Sequence, residues 1–383
     1  VTVQQLILAL ACVVAIVARP AVTSAAEPEK PRVVELFEDE AEATIKQLNN
    51  DASADPGTAK REDEDCFSGR CALRVTPLQR YASRLKGWSY PIVEKPEAGQ
   101  YRYIRFAWKK VDGSGIMMQL CGINDPTTWD HRYLAGRNAV NWTCLPIAAA
   151  SPVKWELVTR DVFKDFGGFT LTGIAFTPMD GTAGLYDHIY LGQSVADLDT
   201  VTDAVLGKTA IKDKPTAAQL GKCWDDLAKR DALLSAPAKR TLIAAGNDGV
   251  AFLKDRFKRG EASDQEKKIA KFIADLDDDD FEVREKASAG LATLGAKADA
   301  LLKKALTGTK SPEVRQRIEA LLAKRADEDE LSDDQRQQLR AIRVLEQIGN
   351  SEARELLELL SKQPLAPAVG SEMKIALERW KKK

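Results

Sequence analysis

The chain holds two histidines, His131 and His188, among 383 residues, which excludes a His-rich metal centre. Its six cysteines form no CxxC and no CxxCH, so zinc-ribbon, thioredoxin and c-type haem chemistry fall away too. Acidic and basic residues nearly cancel, leaving a net charge of -1. Without a clustered basic face, counterion release has nothing to drive nucleic-acid binding. The familiar catalytic loops are missing as well. Gly113-Ser114-Gly115 is not a nucleophile elbow, because Asp112 stands where a glycine is needed. Gly207-Lys208-Thr209 ends like a phosphate loop, but its first glycine is replaced by Thr202. The acidic run Asp275 to Glu282 has Asp280 at the turn glycine of a calcium loop and Lys286 at its twelfth position.

The apolar run Leu6 to Val17 is twelve residues long, too short to cross a bilayer as a helix. Followed by Arg19-Pro20 and the small residues Val22 to Ala26, it has the outline of a secretory signal over residues 1–26, cleaved near Ala25 or Ala26. The expectation is an exported protein, periplasmic or extracellular, with no stable membrane span. In an oxidising compartment Cys66, Cys71, Cys121, Cys144 and Cys223 either pair or stay as buried thiols. Cys66 with Cys71 and Cys121 with Cys144 are the most local pairings.

Residues 31–200 read as short strands between turn signals. Ile104, Phe106 and Trp108 alternate with Tyr103 and Arg105, the mark of a half-buried strand. Near the end of this half, strict alternation puts Leu185, Asp187, Ile189 and Leu191 on one face and Tyr186, His188 and Tyr190 on the other. A carboxylate in an apolar row needs a cation or several donors beside it. Residues 201–215 turn to Lys, Asp and Thr and read as a linker, and from 216 to 383 the period is helical. Thr216-Ala217-Ala218-Gln219 and Ser332-Asp333-Asp334-Gln335 are capping boxes. Asp280-Phe281-Glu282-Val283-Arg284 and Ser311-Pro312-Glu313-Val314-Arg315 are the same motif at an offset of 31 residues, which also carries Ala287 onto Ile318 and Leu291 onto Leu322. Paired helices at such a period point to an α-solenoid, with the arginines bonding neighbouring repeats.

On these motifs residues 216–383 resemble HEAT-type repeats, most closely in IADLDDDDFEVREKASAGLATLG. Residues 31–200 resemble the galactose-binding-like jelly roll of many carbohydrate-binding modules, through LFEDE, FSGRCALRV and YDHIYLG. The expected fold class is multidomain, all-β plus all-α: a β-sandwich jelly roll followed by a HEAT-like α-solenoid. The jelly-roll resemblance implies a structural calcium held by Glu38 and Asp187, with backbone oxygens near Ser68. The solenoid resemblance implies a protein partner.

For ligand binding, the stretch Asn124 to Asn141 offers Trp129, Asp130, His131, Arg132, Tyr133 and Arg137, with Trp88 as a further candidate. Aromatic faces stack on sugar C–H surfaces, and planar polar groups bond paired hydroxyls. The expected function is non-enzymatic binding of a glycan or exported protein by the β half, with the helices mediating protein interaction. The alternatives are a carbohydrate-active enzyme using carboxylates of the sandwich, and a structural envelope component.

Overall fold

The computed structural model describes residues 30–50, 57–123, 129–259, 264–294, 298–326, 331–363 and 365–382. The secretory-signal stretch lies outside them. The first half comprises β1 (Val33–Glu35), α1 (Ala41–Asn50), β2 (Ala59–Glu62), β3 (Ala72–Val75), β4 (Arg80–Ala82), β5 (Tyr90–Ile92), β6 (Tyr103–Val111), β7 (Gly115–Ile123), β8 (His131–Gly136), β9 (Leu145–Ala148), β10 (Glu156–Asp161), α2 (Val162–Phe166), β11 (Phe169–Thr177) and β12 (Ala183–Gly192). One sheet has the order β10-β6-β12-β3-β2, with β1 also on β12, and the other β4-β11-β7-β8-β9, with β5 on β11. The strands pair antiparallel except β8 with β9. Alternation supplies the core between the sheets: Ile104, Phe106 and Trp108 from one, Ile116, Met118, Leu120, Ile174 and Phe176 from the other.

Strict alternation fails in β12. The pairing with β6 slips between Asp187 and Tyr190, and His188 takes a left-handed φ of 52°. An extra residue in one strand reverses which side chains face inward beyond it. Tyr186 therefore shares the core with Ile189 and Leu191, while Tyr190 joins Val33 on the outer face.

That outer face is covered by helix. α3 (Val195–Val205) is capped by Ser194, which accepts from the Asp197 amide, and buries Leu198, Val201 and Ala204 against Tyr190 and Val33. The Lys-, Asp- and Thr-rich stretch expected as a linker thus begins inside a packed helix; only 208–215 is extended or bent chain. Beyond it come α4 (Ala217–Leu227), α5 (Ala232–Ala244), α6 (Asn247–Arg259), α7 (Asp264–Asp275), α8 (Phe281–Leu294), α9 (Asp299–Gly308), α10 (Pro312–Ala326), α11 (Asp333–Ile348), α12 (Ser351–Leu360) and α13 (Pro367–Lys382). Both capping boxes form, and α11 ends on Gly349 at φ 69°.

The helices gather around two cores. α4, α5, α6, α11, α12 and α13 share one, and α7 to α10 enclose the other. The 31-residue motif falls on α8 and α10. Arg284 donates to the Asp278 carbonyl (2.6 Å) and Arg315 to the Thr309 carbonyl (3.3 Å), the same bond one repeat apart. Arg284 with Glu313 (3.4 Å) and Arg317 with Glu285 (2.8 Å) join the two helices. No helix among the described residues is long and apolar enough to cross a membrane. The five cysteines of the described chain are free thiols, so neither local pairing forms. Cys71 points into the sheet core, whereas Cys66 turns to the Glu62 carbonyl.

Candidate functional site

β7 reads Gly-Ile-Met-Met-Gln-Leu-Cys-Gly-Ile, and sending Ile116, Met118 and Leu120 inward leaves Gln119 on the outer face of its sheet. The register then aligns Tyr81 of β4, Ala175 of β11, Gln119 of β7 and Arg132 of β8 in one cross-strand row. Four adjacent strands make this row roughly 14 Å long. Its polar part is tied together. The Gln119 amide donates to Gln79 Oε1 (3.0 Å) and Thr177 Oγ1 (2.7 Å), and its oxygen accepts from Arg132 Nε (2.8 Å). Arg132 also donates to Asp130 (3.0 Å) and the Thr143 carbonyl (3.0 Å), and its guanidinium lies 5.1 Å from the Trp142 ring centre. At the opposite end Trp129 meets Tyr81 edge-on at 5.5 Å. The inner residues of the row are buried, with Ala175, Gln119 and Arg132 at 0, 2 and 9 % exposure, and what reaches the surface is exposed Asp130 and a half-buried tryptophan at each end.

Of the residues expected to bind ligand, Trp129, Asp130 and Arg132 meet on this face. His131 and Tyr133 do not, because residues 131–136 form a strand whose alternate side chains enter the core. His131 stacks on Phe166 at 4.8 Å and packs against Phe169 at 4.3 Å, and Tyr133 donates to Asp165 (3.0 Å). Trp88 packs on Tyr90 at 5.6 Å near α11, and Arg137 is exposed beyond the end of β8. Tyr81, Gln119 and Trp142 join the face without having been expected there. The signal for Gln119 was a single amide in an otherwise apolar strand.

The carboxylates expected to hold calcium are both buried. Asp187 accepts from the amides of Phe67 (2.8 Å), Ser68 (2.9 Å) and His188 (2.6 Å). Glu38 accepts from the Arg70 amide (2.9 Å), and Gly69, at φ 64°, leaves room where a Cβ would collide with the Glu38 carboxylate. The loop between them turns N–H donors toward the carboxylates, whereas calcium requires six to eight oxygens. No cluster of three or more His, Cys, Asp or Glu among the described residues is arranged to hold a metal. This donor set does not fit calcium. Burial, and then Glu38, push the Asp187 carboxyl well above the usual range despite the three amides. His188 is neutral: burial, Arg105 and Lys239 lower it to about 3. Its ring bridges Ser68 Oγ (3.0 Å) and Thr202 Oγ1 of α3 (2.9 Å), so the aromatic stripe of β12 lies partly in the core and partly beneath α3.

The LFEDE segment is a strap onto the helices. Glu35 accepts from the amides of Phe37 (2.8 Å), Glu38 (2.6 Å) and Asp39 (3.0 Å) and so shapes the turn. The turn carries Asp39 to Arg340 (2.9 Å) and Arg343 (3.0 Å), two buried arginines of α11. Arg343 also reaches the Glu38 carbonyl (2.7 Å) and Glu372 of α13 (3.3 Å), which pairs with Arg61 of β2 (3.0 Å). Arg379 joins Asp63 (2.8 Å) to Glu346 (2.8 Å), and Arg70 donates to the Glu346 carbonyl (3.0 Å). Burial would raise Asp39 and Glu372, but Arg340, Lys239 and Arg343 hold the first below its usual range, and Arg343 with Arg61 hold the second at about 2. Sequence reading missed this network. Its signal was Arg336, Arg340 and Arg343 at helical spacing between apolar residues on the other faces of α11.

Glu35 gives the network a pH signature. Burial, and then Asp39, raise it from 4.5 to about 7, so the folded chain holds that proton more tightly than the unfolded chain. Stability from Glu35 is present below its unfolded value and is lost as pH rises through 7. Glu372, Asp39 and His188 run the other way, losing stability as pH falls below their unfolded values. Urea denaturation from pH 5 to 8 should show a smaller decline for Glu35→Gln than for the parent; equal slopes would contradict the assignment.

Comparison with models of known protein families and with curated protein sequences returned no match.

Proposed function

We propose that this is an exported, non-enzymatic binding protein whose two-sheet domain is a jelly roll recognising a glycan, and whose helices form a HEAT-like protein-contact region. The observation that carries the reading is the row Tyr81, Ala175, Gln119 and Arg132 with Trp129 and Trp142 at its ends. Sugars have apolar C–H faces and paired hydroxyls. Flat aromatics suit the first, and the exposed carboxylate of Asp130, held by Arg132, suits the second. The Gln119 network supports the reading because it fixes Arg132 and through it Asp130, and a group already held in place loses little entropy on binding. The repeat bonds of Arg284 and Arg315 support the HEAT-like part.

Glycan-array binding followed by calorimetry tests this. Trp129→Ala should weaken binding about tenfold or more, as expected for loss of about 1.4 kcal/mol of stacking, with an unchanged far-ultraviolet spectrum and no sugar released by either protein. Turnover of a polysaccharide would establish catalysis instead, and an array with no bound glycan would remove the reading.

A further inference from the structure

Where the two-sheet domain meets α3, α5 and α11 there is a cavity of about 150 Å3. Glu38 and Gly69 line it from the sheet side, Lys239 from α5 and Gln347 from α11. Glu38 is 7 % exposed, and its Oε1 is taken by the Arg70 amide (2.9 Å). Its Oε2 has no hydrogen-bond partner among the described residues. Lys239 is half-exposed and makes no hydrogen bond or close ion pair among them, although its charge acts on Asp39 and His188, and Gln347 is exposed at the cavity's rim. The other two cations of the cavity are engaged: Arg343 by Asp39, Glu372 and the Glu38 carbonyl, and Arg240 by the Thr209 carbonyl (3.3 Å).

A carboxylate and an ammonium therefore line one cavity without closing on each other. Glu38 is tethered at both its carboxylate and its carbonyl, and Lys239 is anchored on a helix packed against α3, so neither main chain is free to yield. The buried charge is that of Glu38, where a ligand ammonium would offset the cost of burial, while half-exposed Lys239 offers a cation at the other end. A single water needs roughly 10–15 Å3 of such space, so the cavity has room for several. That accommodates a small bifunctional molecule, and Ala236 and Ile243 offer it an apolar wall.

We propose that this cavity binds a small zwitterion of the amino-acid class, its carboxylate on Lys239 and its ammonium on Glu38 Oε2. The inference is independent of the glycan face, which lies on the other sheet.

Calorimetry and thermal shift on the full chain test it, with L-alanine as the zwitterion and acetate and methylammonium as its two halves. The expected result is saturable alanine binding, at least tenfold tighter than either half. Lys239→Met and Glu38→Gln should each weaken it at least tenfold; the glutamine retains an oxygen for the Arg70 amide. Lys222→Met, which removes an exposed amine on α4, should leave it unchanged. No saturable alanine binding would overturn the proposal. So would acetate binding as tightly as alanine, or affinity unaltered in a folded Lys239→Met chain.

Discussion

Arg343→Met should destabilise the chain by about 3–5 kcal/mol, the range for removing one partner of a buried ion pair. Arg343 is 2 % exposed and meets Asp39 (3.0 Å), Glu372 (3.3 Å) and the Glu38 carbonyl (2.7 Å) at once. Methionine fills similar space but leaves two buried carboxylates short of a cation and one carbonyl without a donor. Arg340 and Arg61 remain to hold Asp39 and Glu372, so the loss should stay within that range. Urea denaturation at pH 7 measures it. Arg343→Met with Glu372→Met should cost less than the sum of the two single changes, because removing both charges leaves fewer unpaired groups. Arg354→Met, which breaks an exposed pair with Glu358 on α12, should change stability by less than about 1 kcal/mol. A loss at Arg343 no larger than at Arg354 would show that the network does not join the two halves.

Asp187→Ala should cost about 3 kcal/mol or more. It strands the amides of Phe67, Ser68 and His188, and each buried donor left unsatisfied costs about 1–3 kcal/mol, partly recovered if water enters. Asp187→Asn keeps one acceptor oxygen but turns an N–H toward some of the same donors, and should fall between alanine and the parent. Because the loop meets the carboxylates with amides, millimolar calcium or a chelator should leave the parent's melting temperature within about 1 °C, well under the shift of a 1 kcal/mol ligand effect. A calcium-dependent rise that Asp187→Asn abolishes would restore the metal site.

Much of the local structure was legible. Period-two alternation placed Ile104, Phe106 and Trp108 in the core, the capping boxes placed the starts of α4 and α11, and the 31-residue offset found α8 and α10. Each signal depends on neighbours within a few residues, or on a motif recurring intact. Of the proposed binding face, Trp129, Asp130 and Arg132 were legible from composition. Tyr81 and Gln119 were not, because they reach Arg132 only through the pairing of four strands.

The sharpest contrast lies in β12 and α11. Sequence alone determined that Asp187 is buried in a strand and must be satisfied, since burial of a charge has one sign whatever surrounds it. Only the tertiary structure decided that amides satisfy it, that a bulge at His188 reverses the faces beyond it, and that α3 covers the result. Likewise the charge of Arg340 and Arg343 was in plain view, but the absence of solvent around them was not. They meet Asp39, 301 and 304 residues away along the chain, and contacts at that separation leave no periodic trace in the sequence.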